Sequence, residues 1–226
     1  MYSFAQRSDM RVVDEPLYGH YLRVSGARHP GGDEVMAQSN CDGDAVMRDL
    51  MTLSADIPET LFIKHMAHHL VQLDLKFLHE TNNVFLIREP REMLPSLTIQ
   101  VPHAALADTG LKRQCQLLQD LHARGQKTVV LDSRELLTNP EAVLRELCRE
   151  LDLSFDKAML QWPAGPRTED GVWARHWYHA VHKSTGFDEY RPKHGFPAKL
   201  RSLLDECQPW YDELYAQAIR APATGD

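Results

Sequence analysis

The chain has 226 residues, of which 43% are hydrophobic and 25% charged, the balance of one ordinary globular domain in water. A formal net charge of −7 argues against a broad nucleic-acid groove but is compatible with a local basic pocket for a small anion. No apolar run approaches the ~18 residues of a membrane span, and Met1–Asp14 lacks a basic-then-apolar leader, so neither a membrane partner nor export is expected.

Arg11–Asp14 is the first short strand, followed by a Gly/Pro-rich stretch, residues 23–45, that reads as a long surface loop. Leu61–Lys64 is the second strand. Met66–His79 places Leu70, Leu73, Phe77 and Leu78 on about one face and predicts an amphipathic helix. Asn83–Arg88 is the third strand. Leu111–Arg124 repeats apolar residues at helical spacing and stops at Gly125, a good residue to follow a helix end. Lys127–Asp132 is the fourth strand. Asn139-Pro140-Glu141 then starts a helix with a capping side chain, a proline at the first position and an acid in the first turn. Residues 162–197, rich in Pro, Gly and aromatics, suit a shaped binding segment. Ala198–Ile219 returns to an amphipathic helix broken near Pro209, and residues 221–226 read as a frayed tail. Near-continuous apolar strands alternating with helices predict a parallel sheet covered on both faces.

Cys41, Cys115, Cys148 and Cys207 are scattered, without C-x-x-C, and read as reduced thiols in a cytoplasmic protein. The 12 histidines include two clusters, His65/His68/His69 and His176/His179/His182. Neither has a Cys or carboxylate at ligand spacing, so no metal is expected.

In open parallel sheets ligands bind beyond the carboxyl ends of the strands. Asp14-Glu15 follows the first strand, Lys64-His65 the second, Arg88-Glu89-Pro90-Arg91 the third and Asp132-Ser133-Arg134 the fourth. Base candidates, a cation and an anion-binding arginine thus gather on one edge, which fits a phosphorylated ligand and a proton acceptor. Arg88 paired with Glu89 or Asp132, and His65 as an ordinary surface residue, are the plainer alternatives.

LIREPREMLPS, with Arg88 at a strand end and Ser96 eight residues on, resembles the 3′-phosphate motif of sulfotransferases that use 3′-phosphoadenosine 5′-phosphosulfate. KTVVLDSRELLTNPEAVLRELCRELDLSFD is similar to that family's next segment, and VVDEPLYGHYL resembles a region of bacterial members. The resemblance covers roughly residues 1–160. It implies a three-layer α/β fold of the P-loop, nucleoside-triphosphate-hydrolase-like type, and sulfuryl transfer to a small-molecule alcohol or amine. Within it, Arg88 and Ser96 are the 3′-phosphate ligands. Glu15 or His65 is the base, and Lys64 meets charge developing on the leaving phosphate. Arg191-Pro192-Lys193-His194-Gly195 is only loosely similar to the family's basic covering loop, and a solvated turn is the better reading there.

No Gly/Ser-rich phosphate loop is present, and Met1–Arg7 resembles the helix that follows one. The family's first, central strand is therefore expected to be missing, with no ladder joining Phe62–Lys64 to Phe85–Ile87. Another P-loop transferase such as a small-molecule kinase, or a non-catalytic nucleotide-binding or scaffolding domain, are the alternatives.

Overall fold

The computed structural model of the protein describes residues 1–192 and 195–222. In chain order the elements are β1 (Met10–Asp14), α1 (Tyr18–Ser25), α2 (Gly32–Gln38), α3 (Gly43–Asp56), β2 (Thr60–Lys64), β3 (Asn83–Ile87), α4 (Pro90–Gln100), α5 (Leu106–Thr109), α6 (Leu111–Ala123), β4 (Thr128–Asp132), α7 (Ser133–Thr138), α8 (Pro140–Glu150), α9 (Ala174–Trp177), α10 (Arg201–Tyr215) and β5 (Ala218–Ile219). Short 3-10 turns fill several connections. This is an α/β fold with parallel sheets and helical connections. The chain divides into two compact units, Met1–Phe77 with Asp156–Phe187, and Leu78–Phe155 with Asp188–Asp226.

In the first unit β1 and β2 pair in parallel, Met10 opposite Thr60 through Asp14 opposite Lys64. Its core is aromatic: Tyr18, Tyr21, Leu22, Val35 and Trp173 are buried together. Tyr18 and Tyr21 are three residues apart, hence on one face of α1, and the His69 ring stacks on both, with centroids at 4.8 and 4.5 Å.

In the second unit β3, β4 and β5 form a parallel sheet in that order. The apolar positions of α6 read from the sequence, Leu111, Cys115, Leu118 and Leu121, are all buried. Gly125, at φ +74°, ends the helix in the left-handed region. Gln126 N–H then closes back on Leu121 O at 3.0 Å, supplying a partner to a helix-end carbonyl. At the start of α8, Asn139 accepts from Ala142 N–H at 3.2 Å, with Pro140 as the first helical residue.

Six expectations are corrected. Met66–His79 is not a helix but two 3-10 turns, Ala67–His69 and Lys76–Glu80. Gln72 takes φ +47°, which no helix interior accommodates. Leu70, Phe77 and Leu78 are buried all the same, so the spacing marked core residues and not a helix. Residues 23–45 are not one long loop, since α2 lies inside them and sends Val35, fully buried, into the aromatic core. Its large apolar residues, Val35 and Met36, are adjacent and show no helical spacing, which hid it. The Met1–Arg7 helix is only a 3-10 turn, Phe4–Gln6. Pro209 does not break α10, which runs through it. β5 is a two-residue strand within the stretch read as helix, too short to leave a pattern. Only β4 is buried along nearly its whole length. β3 alternates, with Phe85 and Ile87 buried and Leu86 56% exposed.

β2 pairs only with β1, and β3 only with β4, so among the described residues no ladder joins Phe62–Lys64 to Phe85–Ile87. Lys193 and His194 of the basic turn, and most of the tail at 221–226, lie outside the described residues. Among those described, no helix is long and apolar enough to cross a membrane.

Replacing the α8 cap, Asn139→Ala, strands a helix N–H and is expected to lower stability by about 1 kcal/mol. Urea denaturation at fixed pH measures it, and an unchanged midpoint contradicts the capping role.

Candidate active site

Parallel register sets Asp14 opposite Lys64 at the carboxyl ends of β1 and β2. The next residue, Glu15, continues the ladder with its N–H on Lys64 O at 2.9 Å. It then turns sharply, with φ +42°, and its carbonyl accepts from Tyr18 N–H at 3.0 Å as α1 begins. A glutamate in this region, directly before a proline, is strained by about 1–3 kcal/mol. The turn aims the Glu15 carboxylate back at Lys64.

Four side chains meet there. Lys64 Nζ donates to Asp14 Oδ1 at 3.1 Å, to Glu15 Oε1, and to Tyr178 OH at 2.5 Å. The Tyr178 hydroxyl in turn lies 2.7 Å from Asp14 Oδ2 and 3.3 Å from Glu15 Oε1. With one proton to give, it donates to Asp14 and accepts from Lys64. All three ammonium hydrogens are thereby committed. The Asp14 side chain is fully buried, Glu15 is 9% exposed and Lys64 28%. No hydrogen bond among the described residues reaches Glu15 Oε2.

The electrostatics follow from two carboxylates facing one ammonium. Burial pushes the Glu15 pKa up; Lys64 opposes this and Asp14 adds to it, and the balance stays above the ordinary carboxylate value. For Lys64 burial works against the charged form, but Glu15 and Asp14 outweigh it and hold the ammonium above its ordinary range. Burial and the two acids raise the Tyr178 phenol.

His65 is placed differently. It follows Lys64 in the chain, yet both ring nitrogens are buried without a hydrogen-bond partner, and the ring lies 6.0 Å from Phe77. Burial lowers its pKa to about 4. His68 and His69 belong to the aromatic core, and burial lowers His69 well below the usual value. His182 Nε2 lies 2.9 Å from Asp170 Oδ2, which also accepts from Tyr2 OH at 2.6 Å. Among the described residues no group of three or more His, Cys, Asp and Glu side chains is placed to hold a metal ion.

The anion-binding candidates lie in the second unit. Arg88, just past β3, is exposed and has no ion pair or hydrogen bond among the described residues. The alternative pairings do not form. Asp132 accepts from Arg134 N–H, Glu135 N–H and Tyr211 OH, and the charge nearest Glu89 is Arg134, at 3.8 Å. Ser96 is exposed on α4 and its hydroxyl donates to Met93 O at 2.8 Å. Pro95 sits inside the same helix without ending it. The structure thus brings Glu15 and Lys64 together, leaves His65 outside their hydrogen-bond network, and holds Arg88 and Ser96 on a separate unit.

A sequence profile described as "Sulfotransferase domain" matches residues 1–218. The chain belongs to the sulfotransferase domain family. It is 38% identical over 216 residues to branched-chain-amino-acid aminotransferase-like protein 2 of Arabidopsis thaliana, covering 95% of this chain and 38% of that protein. It is 39% identical over 218 residues to the like-named protein 1, covering 95% and 39%. This sulfotransferase-family chain therefore spans well under half the length of those plant relatives. Among solved structures, a sulfotransferase domain from the curacin biosynthetic pathway aligns with 90% of this chain and 79% of its own, at 14% identity and a TM-score of 0.46.

Two members of the cluster escaped the sequence reading as site residues. Asp14 was signalled by the doubled acid at a strand end. Tyr178 lies in the aromatic-rich stretch that reads as a binding segment, but no spacing ties it to Lys64.

Buried, neutral histidines make the first unit acid-sensitive. Unfolded, His65 takes its proton near pH 6.5; folded, it does so only near about 4. The unfolded chain binds more protons across that window, so stability is retained above about 6.5 and falls as pH drops toward about 4. His65→Phe is expected to shrink the loss between pH 7 and pH 4.5 by about 2–3 kcal/mol. Equal acid losses in both proteins, measured by denaturant titration, would contradict it.

Proposed function

We propose that this sulfotransferase-family chain moves a sulfuryl group from 3′-phosphoadenosine 5′-phosphosulfate to the hydroxyl or amine of a small molecule, with Glu15 as the base. The observation that carries the reading is the Glu15 carboxylate: Oε1 is held by Lys64, Oε2 is free of hydrogen bonds among the described residues, and burial raises its proton affinity. A base is most useful when its pKa approaches the working pH.

With an alcohol as acceptor, its oxygen attacks sulfur as its proton passes to Glu15 Oε2. The oxygen–sulfur bond forms while the bond from sulfur to the bridging oxygen breaks, and 3′-phosphoadenosine 5′-phosphate leaves with that electron pair. Such transfers ask the protein for alignment and charge stabilisation more than covalent chemistry. Lys64 fixes the base and supplies positive charge beside it; a direct contact with the leaving phosphate requires it to release one of its three present partners. Arg88 would take the 3′-phosphate through paired charge-assisted hydrogen bonds, and Ser96 would turn its hydroxyl from Met93 O to the same phosphate. His65, with both nitrogens enclosed, is supported only as a structural residue.

Glu15→Gln is expected to lower kcat by about 10²–10⁴-fold, the usual worth of a general base, while His65→Phe keeps turnover. Steady-state assays with isotopically labelled donor decide this. Full activity in Glu15→Gln, or its loss in a folded His65→Phe, reverses the assignment. The wild-type acid limb of kcat/KM is expected above the ordinary carboxylate pKa, with activity lost as pH falls through it.

Arg88→Ala is expected to weaken binding of 3′-phosphoadenosine 5′-phosphate by about 1.5–3 kcal/mol. Adenosine 5′-phosphate, which lacks the 3′-phosphate, should bind the two proteins alike. Equal calorimetric losses for both ligands would remove Arg88 from the 3′-phosphate.

A further inference from the structure

The segment after α9 sends a single side chain into the acid cluster. We infer that Tyr178 is a positioning residue that sets the proton affinity of Glu15 by anchoring the Lys64 ammonium between Asp14 and Glu15. The effect on turnover rests on Glu15 being the base, whereas the effect on Glu15's own titration does not.

A lysine has a long stem with several rotatable bonds, and this one is 28% exposed, so its ammonium has a path to solvent. Glu15 and Asp14 draw it from two sides, Asp14 at 3.1 Å, a long contact for a charged pair. Tyr178 supplies the third point. Its hydroxyl accepts from Lys64 at 2.5 Å and donates to Asp14 Oδ2 at 2.7 Å, so each stays only while the other does. The ring also lies against the ammonium, 4.9 Å from its centroid.

Tyr178 is itself held from behind. Its N–H donates to Ala174 O at 2.7 Å, and its carbonyl accepts from His182 N–H at 2.9 Å. The His182 ring meets it edge-on at 6.0 Å and is fixed by Asp170, whose Oδ2 also takes Arg167 N–H at 2.9 Å. The tyrosine is thus pre-set and the lysine is not. The titratable groups around Glu15 are Asp14 from β1, Lys64 from β2, Tyr178, and Tyr18 from α1, with His69 beyond Lys64 and the Met1 amine facing Lys64 and Asp14. Burial lowers the Met1 amine to about 5, so above that pH Lys64 is the one full positive charge among them, and its place decides where Glu15 titrates.

Removing the hydroxyl leaves one Lys64 N–H and Asp14 Oδ2 without a partner. The ammonium then moves from Glu15 part of the time, and the Glu15 pKa rises. The test is carboxyl-carbon NMR on protein labelled at glutamate, with the Glu15 signal assigned by Glu15→Gln. In Tyr178→Phe the Glu15 titration is expected about one unit higher than in wild type, the low end of what an adjacent opposite charge is worth. An unchanged or lower value overturns the inference. A second variant, 4-aminophenylalanine at position 178, keeps the ring's volume and a donor toward Asp14 but is a poor acceptor from Lys64. It should also raise the Glu15 titration; a wild-type value there overturns the anchoring of Lys64. In kinetics, the acid limb of kcat/KM moves up with Glu15 in Tyr178→Phe while the donor KM holds. A Glu15 titration that moves without the kinetic limb upholds the role of Tyr178 and removes Glu15 as the base.

Discussion

Two carboxylates share one ammonium where β1 and β2 end, and the local structure of the first unit is arranged around that imbalance. Taking charged groups out of water costs several kcal/mol per ion unless partners replace the lost hydration. Asp14 is fully buried and both of its oxygens accept hydrogen bonds. Lys64 has no donor left over. Of the cluster's carboxylates, Glu15 keeps an oxygen without a hydrogen bond among the described residues, and it occupies a backbone region that glutamate avoids. Strain and an unfilled acceptor at one residue, beside an aspartate and a lysine whose hydrogen bonds are complete, are the two features on which the proposed role of Glu15 rests.

The strand framework was legible because β-branched and aromatic runs ending in charge mark strands regardless of context. The positions found for all four agree with the structure to within a residue or so. Gly125 and Asn139-Pro140 were legible for a local reason as well, since a left-handed stop and a cap act within one helical turn. What failed was set by tertiary contacts. The spacing of Leu70, Phe77 and Leu78 records burial, and burial does not require a helix when His69 must lie flat against Tyr18 and Tyr21. Val35 and Met36, adjacent in the chain, carry no helical period that could announce α2, and a two-residue β5 has no periodicity to detect.

The candidate site divided in the same way. Glu15 and Lys64 were legible because strand ends in parallel sheets gather ligand-binding groups, and the register of β1 with β2 follows from the pairing itself. His65 looked equivalent to Lys64 in sequence, yet adjacent residues at a strand end point opposite ways. One joins the acids and the other is shut in near Phe77. Tyr178 was hidden because its partner is 114 residues away. Contacts of that span come from the path of the chain between them, which residue types do not encode.

The path of the chain has a temporal consequence. It fills the first unit as far as Phe77, leaves for the second, returns for Asp156–Phe187 and leaves again. Neither unit is therefore complete until late in the chain. Asp14, Glu15 and Lys64 emerge together, and their last neighbour, Tyr178, follows Lys64 only 114 residues later. Until then the three charges remain hydrated, with nothing to hold the lysine in place, and β1 and β2 have few reasons to stay paired. Loop closure over such distances is entropically slow. Assembly of the acid cluster thus becomes a late event in folding, and a chain that has acquired it has already threaded most of both units.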